Sequence, residues 1–167
     1  REVVEVWNDV FMQYEKKSGK IIGTLPKPSV DTGAGLERLA MTLQGVDNIF
    51  DTDLFKPVME EMKKTAKKWD IRVGRIISDH IRASVLLIND GITPSNTERG
   101  YILRRLIRRS IFKMQQIGLG QDAISNMVEL YAEIYRDTYN IDTTKVDRKS
   151  TRLNSSHVSE SRMPSSA

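Results

Sequence analysis

The sequence contains no cysteine and only two histidines, His80 and His157. The lack of thiols excludes disulfides and thiolate metal ligands, and two histidines argue against a zinc site within this chain. No run of about eighteen apolar residues is present, so no membrane-spanning helix is predicted. The first residues also lack the pattern of a secretory signal. These absences lead us to expect a cytoplasmic protein without a membrane partner.

The formal net charge of +4 is concentrated near the carboxyl end. Residues 148–167 alone carry a net charge of +3 and seven serines, without any periodic apolar pattern. We interpret this segment as a disordered tail that resembles translated vector sequence, the alternative being a native disordered tail. Because the remainder is nearly neutral, only local clusters of cations would indicate a nucleic-acid partner.

The first part of the chain has the period-two pattern of a strand. Val4, Val6, Asn8, Val10 and Met12 alternate with the residues between them, which predicts a strand with these side chains on one face. A turn at 18–20 then leads into a second strand, which we expect Pro26 and Pro28 to end. Because the sequence opens within a strand and without a start methionine, we expect a piece of a longer protein.

From Leu36 onward the apolar spacing becomes helical, and it predicts five helices. Their expected ranges are approximately 36–44, 53–69, 75–89, 98–116 and 122–139. The predicted fold is therefore α+β and mostly helical: the end of an antiparallel sheet followed by an α-helical bundle. We expect three segments, with bounds 1–50, 51–147 and 148–167.

The stretch SVDTGAGLERLAMTLQG, Ser29–Gly45, places two glycines directly before a helix. One interpretation is structural: Asp31 or Thr32 caps the helix, Glu37 favours its first turn, and the glycines only permit a tight turn. The other interpretation is functional. Glycines without side chains let a ligand approach the backbone, while Arg38 forms paired hydrogen bonds to a polyphosphate or stacks on a base. A carboxylate nearby, Asp31, would suit a cationic amine.

A second cluster is cationic. The stretch RGYILRRLIRRSIFK contains six cations in fifteen residues, and Ile102, Leu103, Leu106 and Ile107 are expected to form its apolar side. It is a solvated helix face, a set of arginines paired with Glu129 or Glu133, or a phosphate-binding surface. Cations at i and i+4 form ridges along the helix.

The loop before this helix presents Asn96, whose amide has both donors and an acceptor and so can read a base edge. A helix-capping role is the alternative, with Ser95 and Glu98 as a possible capping box. His80 has no nucleophile or ligand pattern around it, so we interpret it as a packed or capping histidine rather than a catalyst.

Four blocks resemble the class II aminoacyl-tRNA synthetases in their alanine-specific form, in order and spacing. Ser29–Gly45 resembles motif 3 of that family, and the resemblance covers most of residues 2–118. The four blocks are EVWNDVFMQY, LPKPSVDTG, SDHIRAS and PSNTERGYILRRLIRR, and the second of them overlaps the start of the motif 3 stretch.

This resemblance implies roles for single residues. Arg38, with Gly35, would bind ATP, and Asp31 would bind the α-amino group of alanine; these two carry the catalytic role. Asn8 would contact the amino acid, while Val10 and Gly33 would line a pocket sized for a methyl group. Without the resemblance, Asn8 would be a polar residue at a sheet edge, and Val10 and Met12 would be core residues.

The resemblance also implies an RNA partner, the acceptor stem of tRNA(Ala). Asn96 would contact the G:U wobble pair of that stem, and the arginines would bind its phosphates. These arginines are Arg99, Arg104, Arg105, Arg108 and Arg109. Residues 1–50 would then end a catalytic domain, and residues 51–147 would form a helical tRNA-recognition domain.

The family's reaction joins alanine to ATP and transfers alanyl to tRNA, with Mg²⁺ accompanying the ATP. Family motifs 1 and 2, the second wobble-pair reader and the zinc-bearing editing domain have no counterpart in this sequence. We therefore expect the 167 residues alone to be inactive in alanine activation. A non-catalytic helical RNA-binding module is the alternative function, since it needs only the basic helix.

Overall fold

A computed structural model describes residues 3–120 and 122–146. Two strands are followed by helices, so the predicted fold class, α+β and mostly helical, is confirmed. The main elements are β1 (Trp7–Lys17), β2 (Lys20–Ala34), α1 (Leu36–Leu43), α2 (Lys56–Thr65), α3 (Ile71–Asn89), α4 (Glu98–Ile117) and α5 (Ala123–Ile134). A 3₁₀ turn covers Ile49–Asp51, and a last helical turn covers 143–146. The tail predicted at 148–167 lies outside the described residues.

The chain divides after Thr52 into two compact units. The first contains an antiparallel ribbon of β1 and β2, joined where Ser18 and Gly19 adopt positive φ angles of 48° and 81°. This is the turn that the sequence predicted. The assignment of the two units to a catalytic and a tRNA-recognition domain stays a prediction.

The expected end of the second strand at its prolines is wrong. β2 continues to Ala34, because Pro26 and Pro28 lie in an irregularity of the ladder between Thr24, which pairs with Tyr14, and Ser29, which pairs with Met12. Proline is tolerated there because neither nitrogen has to donate a ladder hydrogen bond.

The expected cap of α1 is also wrong. Gly35, in extended conformation, is the N-cap residue, and it has no side chain to offer. Thr32 still belongs to β2, and its hydroxyl donates to Asp9 Oδ1 at 2.7 Å. Glu37 does occupy the first turn, and Gly45 ends the helix with a φ of 64°, as the sequence predicted.

The core of the second unit is apolar and built around α3. Ile77, Ile81, Val85 and Ile88, predicted to face inward, are all buried. They have the i, i+3/i+4 spacing of one helix face, which packs against α4, α5 and α2. No described helix is both long and apolar enough to cross a membrane.

Three helices differ from their predicted ranges by several residues. α5 ends at Ile134, five residues before the predicted end at 139. α2 covers Lys56–Thr65 and so is shorter than the predicted 53–69, with Ala66 already extended. α3 begins earlier, at Ile71, because the Asp70 carboxylate accepts from the backbone N–H groups of Arg72 and Val73. This N-cap satisfies donors that the first helical turn leaves unpaired.

The loop before α4 packs directly against Gly100. A Cβ atom at Gly100 would lie 2.5 Å from the Thr93 carbonyl oxygen and 2.2 Å from Ser95 Oγ. The Ser95 N–H also donates to the Gly100 carbonyl at 3.0 Å. The absence of a side chain at Gly100 therefore lets this loop approach the helix and fixes its path.

A buried hydroxyl pair joins α3 to α5. The Tyr131 hydroxyl donates to the Ser78 carbonyl at 2.9 Å and lies 2.6 Å from Ser78 Oγ. Both residues are fully buried, and burial raises the pKa of the Tyr131 phenol well above its usual range. The phenol therefore remains a neutral hydrogen-bond donor at physiological pH.

We expect Tyr131→Phe to lower the free energy of unfolding by about 1–2 kcal/mol, because the Ser78 hydroxyl loses its buried partner. Urea unfolding measures this change. The double variant Ser78→Ala/Tyr131→Phe should recover part of the loss, since no polar group is then left unpaired. Equal stabilities of wild type and Tyr131→Phe would contradict this assignment.

We expect Gly100→Ala to destabilise the second unit by about 1–3 kcal/mol, because the new methyl group overlaps backbone of the preceding loop. Gly120→Ala is the matched control, since a Cβ at Gly120 would meet nothing within 4 Å. The measurement is again urea unfolding. A Gly100→Ala variant as stable as the control would show that the loop is not held against the helix.

Candidate functional site

One face of the ribbon collects four of the predicted site residues. Asn8 pairs with Gly33, and Val10 pairs with Asp31. Residues two apart on a strand share a face, and directly opposed residues of antiparallel strands share it too. A Cβ at Gly33 would lie 3.7 Å from Asn8 Oδ1, which agrees with this arrangement. We call this set the ribbon face.

Neither glycine of the GAG sequence is required by a turn. Gly33 lies within β2, and Gly35 has an ordinary extended φ of −84°. The interpretation that these glycines only permit a tight turn is therefore wrong. A Cβ at Gly33 would meet a single atom within 4 Å, so the strand is open to a ligand at this point.

Arg38 lies at the end of the ribbon and is anchored there. Its Nη1 donates to the Glu5 carbonyl at 2.9 Å, and its alkyl chain lies 3.7–3.8 Å from the position of a Cβ on Gly35. Because Gly35 is extended and its N–H pairs with Val6, the strand alternation puts Gly35 on the ribbon face with Gly33. The stem of Arg38 therefore lies over the same face as Asp31.

The two aspartates of the ribbon differ in their surroundings. Asp9 pairs with Thr32 on the opposite face and accepts its hydroxyl hydrogen bond. Asp31 lies on the ribbon face beside Gly33. Val10, on that same face, is 52% exposed and Met12 is 43% exposed, so neither is a core residue in this structure.

The Arg38 side chain offers hydrogen-bond donors beside the ribbon face. The Arg38 guanidinium keeps N–H groups without a hydrogen-bond partner among the described residues, and these could bind phosphate oxygens. Within the same described part of the chain, no three His, Asp or Glu side chains converge as a metal site.

The second candidate site is an open groove of about 620 Å³ along α4. It includes four of the predicted arginines together with Asn96, but Arg99 does not line it. We call it the arginine groove. The lining residues are Asn96, Tyr101, Arg104, Arg105, Arg108, Arg109 and Phe112.

The arginine groove is cationic, since none of its described lining residues is acidic. The pairing of these arginines with Glu133, one of the two expected alternatives, is wrong: Glu133 binds Arg136 at 2.9 Å. Arg105 and Arg109 have no carboxylate partner among the described residues. Such a surface can bind the phosphates of a nucleic acid.

Two aromatic residues of the groove were missed by sequence reasoning. Tyr101 is 50% exposed and Phe112 is 51% exposed. Tyr101 precedes Arg105 by four residues and Phe112 follows Arg108 by four, so helical spacing alone could have found them. Ile102, expected on the apolar side, is 55% exposed as well. Exposed aromatic rings beside arginines can stack on bases.

The expected capping box at the start of α4 is not formed. Thr97, not Ser95, is the N-cap residue, and it makes no side-chain cap hydrogen bond. The Ser95 hydroxyl instead bonds to the N–H and carbonyl of Thr97. Asn96 is exposed, and its Oδ1 accepts a hydrogen bond from Arg104 Nη1.

His80 is largely buried beside the groove. Its Nδ1 lies 3.2 Å from Asp79 Oδ2, and this hydrogen bond lowers the pKa of the Asp79 carboxyl. The ring also lines a smaller cavity of about 220 Å³ together with Tyr101 and Arg105. The packed histidine that the sequence predicted agrees with this position.

The chain is similar to several curated proteins. It is 46% identical over 143 residues to an alanine–tRNA ligase of Magnetococcus marinus, covering 81% of this chain and 16% of that protein. It is 49% identical over 123 residues to an alanine–tRNA ligase of Acidithiobacillus ferridurans, covering 70% and 14%. The chain thus spans less than a fifth of the length of these relatives.

The family described as "tRNA synthetases class II (A)" matches residues 1–154. This match covers most of the chain, including the ribbon face and the arginine groove. The resemblance inferred from four sequence blocks is therefore confirmed at the level of the family. The chain belongs to the class II (A) tRNA synthetases.

Proposed function

We propose that this chain is part of an alanine–tRNA ligase, which activates alanine with ATP and transfers the alanyl group to tRNA(Ala). The observation that carries the proposal is the ribbon face, where a carboxylate, an amide and a bare glycine lie together beside the stem of an arginine. The similarity to alanine–tRNA ligases supports the same conclusion. The reaction would take place in the cytoplasm.

In this proposal Asp31 binds the α-amino group of alanine and Asn8 contacts the same amino acid. Val10 and Gly33 bound the space for the methyl group, which excludes larger side chains by size. Such a pocket discriminates weakly against serine or glycine, because a small difference in size changes the binding free energy by only about 1–3 kcal/mol.

Arg38, over Gly35, binds ATP, whose Mg²⁺ supplies further charge neutralisation at the phosphates. Two features of this chain support that role. The hydrogen bond to the Glu5 carbonyl fixes one nitrogen of the guanidinium, and the stem lies over the side of Gly35 where a side chain would otherwise be. An arginine oriented before the ligand binds loses little entropy on binding, and it can stabilise charge that develops at a phosphate.

The arginine groove binds the acceptor stem of tRNA(Ala), with its arginines on phosphates and Asn96 on the G:U pair. Phosphate contacts fix the position of the RNA but do not read its sequence. Asn96 at one end of the groove offers polar groups to the wide minor groove of an RNA helix. A non-catalytic RNA-binding module would use this groove but not the ribbon face.

The ribbon-face role is tested by Asp31→Asn in a chain extended to the length of its relatives. We expect alanine-dependent pyrophosphate exchange to slow by a factor equivalent to about 2–5 kcal/mol of lost transition-state stabilisation. The reason is that the ammonium group of alanine loses its charged partner. Asp9→Asn is the matched control, since it alters the ribbon's other aspartate on the opposite face. Equal effects of the two substitutions, or loss of RNA binding in Asp31→Asn, would contradict the assignment.

The arginine-groove role is tested by the salt dependence of RNA binding. We expect Arg105→Met to weaken binding of an acceptor-stem hairpin and to lower the slope of log K against log salt by about 0.7–0.9. Lys64→Met removes the same charge from the exposed surface of α2 and should leave this slope unchanged. An unchanged slope in Arg105→Met would show that Arg105 does not contact an RNA phosphate.

A further inference from the structure

The side-chain amide of Asn96 is held by Arg104, two turns along α4. A guanidinium group has only donors, so the atom of Asn96 that it contacts must be the amide oxygen. This conclusion does not depend on how the oxygen and nitrogen of the amide are assigned, because the opposite orientation would face one donor with another. The NH₂ group of Asn96 is therefore directed away from Arg104 Nη1.

The main chain on either side of Asn96 is fixed independently of this contact. Ser95 is bound to the Gly100 carbonyl through its N–H and to Thr97 through its hydroxyl. The close approach of Thr93 and Ser95 to Gly100 leaves the loop no room to move toward the helix. Both the backbone and the amide of Asn96 are thus oriented before any ligand binds, which reduces the entropy lost on binding.

Arg104 differs in this respect from two other cations of the arginine groove, Arg105 and Arg109. Among the described residues, neither Arg105 nor Arg109 has a hydrogen-bond partner, so their guanidinium groups remain available for phosphates. Arg104, by contrast, donates one N–H to a neutral side chain, Asn96, at the edge of the same groove. A contact between a charged donor and an uncharged acceptor orients the acceptor without neutralising the charge.

We infer that Arg104 is a positioning residue, which makes Asn96 present a hydrogen-bond donor to the RNA. The inference rests on the proposed binding of RNA in the arginine groove. The group that Asn96 contacts is then an acceptor, either a base oxygen or nitrogen in the minor groove or a 2′-hydroxyl oxygen. Arg104 acts on recognition through Asn96, whereas Arg105 contributes charge.

The test compares Arg104→Met with Arg105→Met in the full 167-residue chain. The probes are two RNA hairpins that differ only in one pair, G:U or G:C. Both variants lose one cation from the groove, so both should bind more weakly and show a smaller salt slope. Only Arg104→Met should lose preference for the G:U hairpin, by a factor of roughly three to ten, since an oriented hydrogen bond is lost. Equal preferences in the two variants would overturn the inference.

Two further variants test whether Asn96 acts on the RNA as a hydrogen-bond donor. Asn96→Asp keeps an acceptor for Arg104 but has no NH₂ group, so it should lose the G:U preference while its unfolding midpoint in urea is maintained. Arg104→Lys retains a donor and should restore part of the preference lost in Arg104→Met. Retention of the full preference in Asn96→Asp would contradict the donor role.

The NH₂ resonances of Asn96 in the RNA-free protein separate this inference from the proposed function. If Arg104→Met shifts them and Arg105→Met does not, the contact between Arg104 and Asn96 is supported. If the wild-type chain nevertheless fails to distinguish the two hairpins, only the proposed role of Asn96 in reading the G:U pair is contradicted. If neither substitution shifts them, Arg104 does not orient Asn96 and the inference is overturned.

Discussion

The register between β1 and β2 is the constraint on which the first unit's proposed chemistry depends. It pairs Asn8 with Gly33 and Val10 with Asp31, so that side chains from distant positions in the chain share one face. A slip of one residue would move Asn8 and Val10 to the opposite face and leave Asp31 without either neighbour. The large irregularity that contains both prolines lies beyond Ser29, and the pairing on the site side of it is unbroken.

In the second unit, the single helix α4 contributes both to the core and to the arginine groove. One side of α4 buries Leu103 and Ile107 in the core, which fixes the helix against α3. The other side carries the arginine groove, and its cations do not have to be taken out of water to build the fold. The absence of a side chain at Gly100 lets the loop that contains Asn96 pack against the same helix. The buried apolar residues of α4 thereby determine where the arginines on its other side are placed.

Local pattern predicted those features that depend on neighbours in sequence. The 3.6-residue spacing of Ile77, Ile81 and Val85 identified a buried helix face, and the alternation around Asn8 identified a strand face. The proline rule failed because it assumes an unbroken ladder, and the structure interrupts the ladder where the prolines lie. The bond between Ser78 and Tyr131 spans 53 positions, so no local pattern could reveal it.

The candidate site was predictable only in part. Spacing alone showed that Asn8 and Val10 share a face, whereas their placement opposite Gly33 and Asp31 required the register between two strands. The arginines were visible as a cluster, but no prediction was made for Tyr101 and Phe112, although their four-residue spacing from Arg105 and Arg108 was visible as well. The hydrogen bond from Arg104 to Asn96 depends on the path of the loop, which the packing at Gly100 determines.

The register itself can be measured directly, because the chain contains no cysteine to compete. The pair Asp9→Cys/Thr32→Cys joins opposed positions on the face away from the proposed alanine pocket. Oxidation followed by mass spectrometry should find this pair as an intramolecular disulfide, whereas the offset pair Val10→Cys/Thr32→Cys should stay reduced, since its side chains point to opposite faces. Preferential oxidation of the offset pair would contradict the register and, with it, the ribbon face.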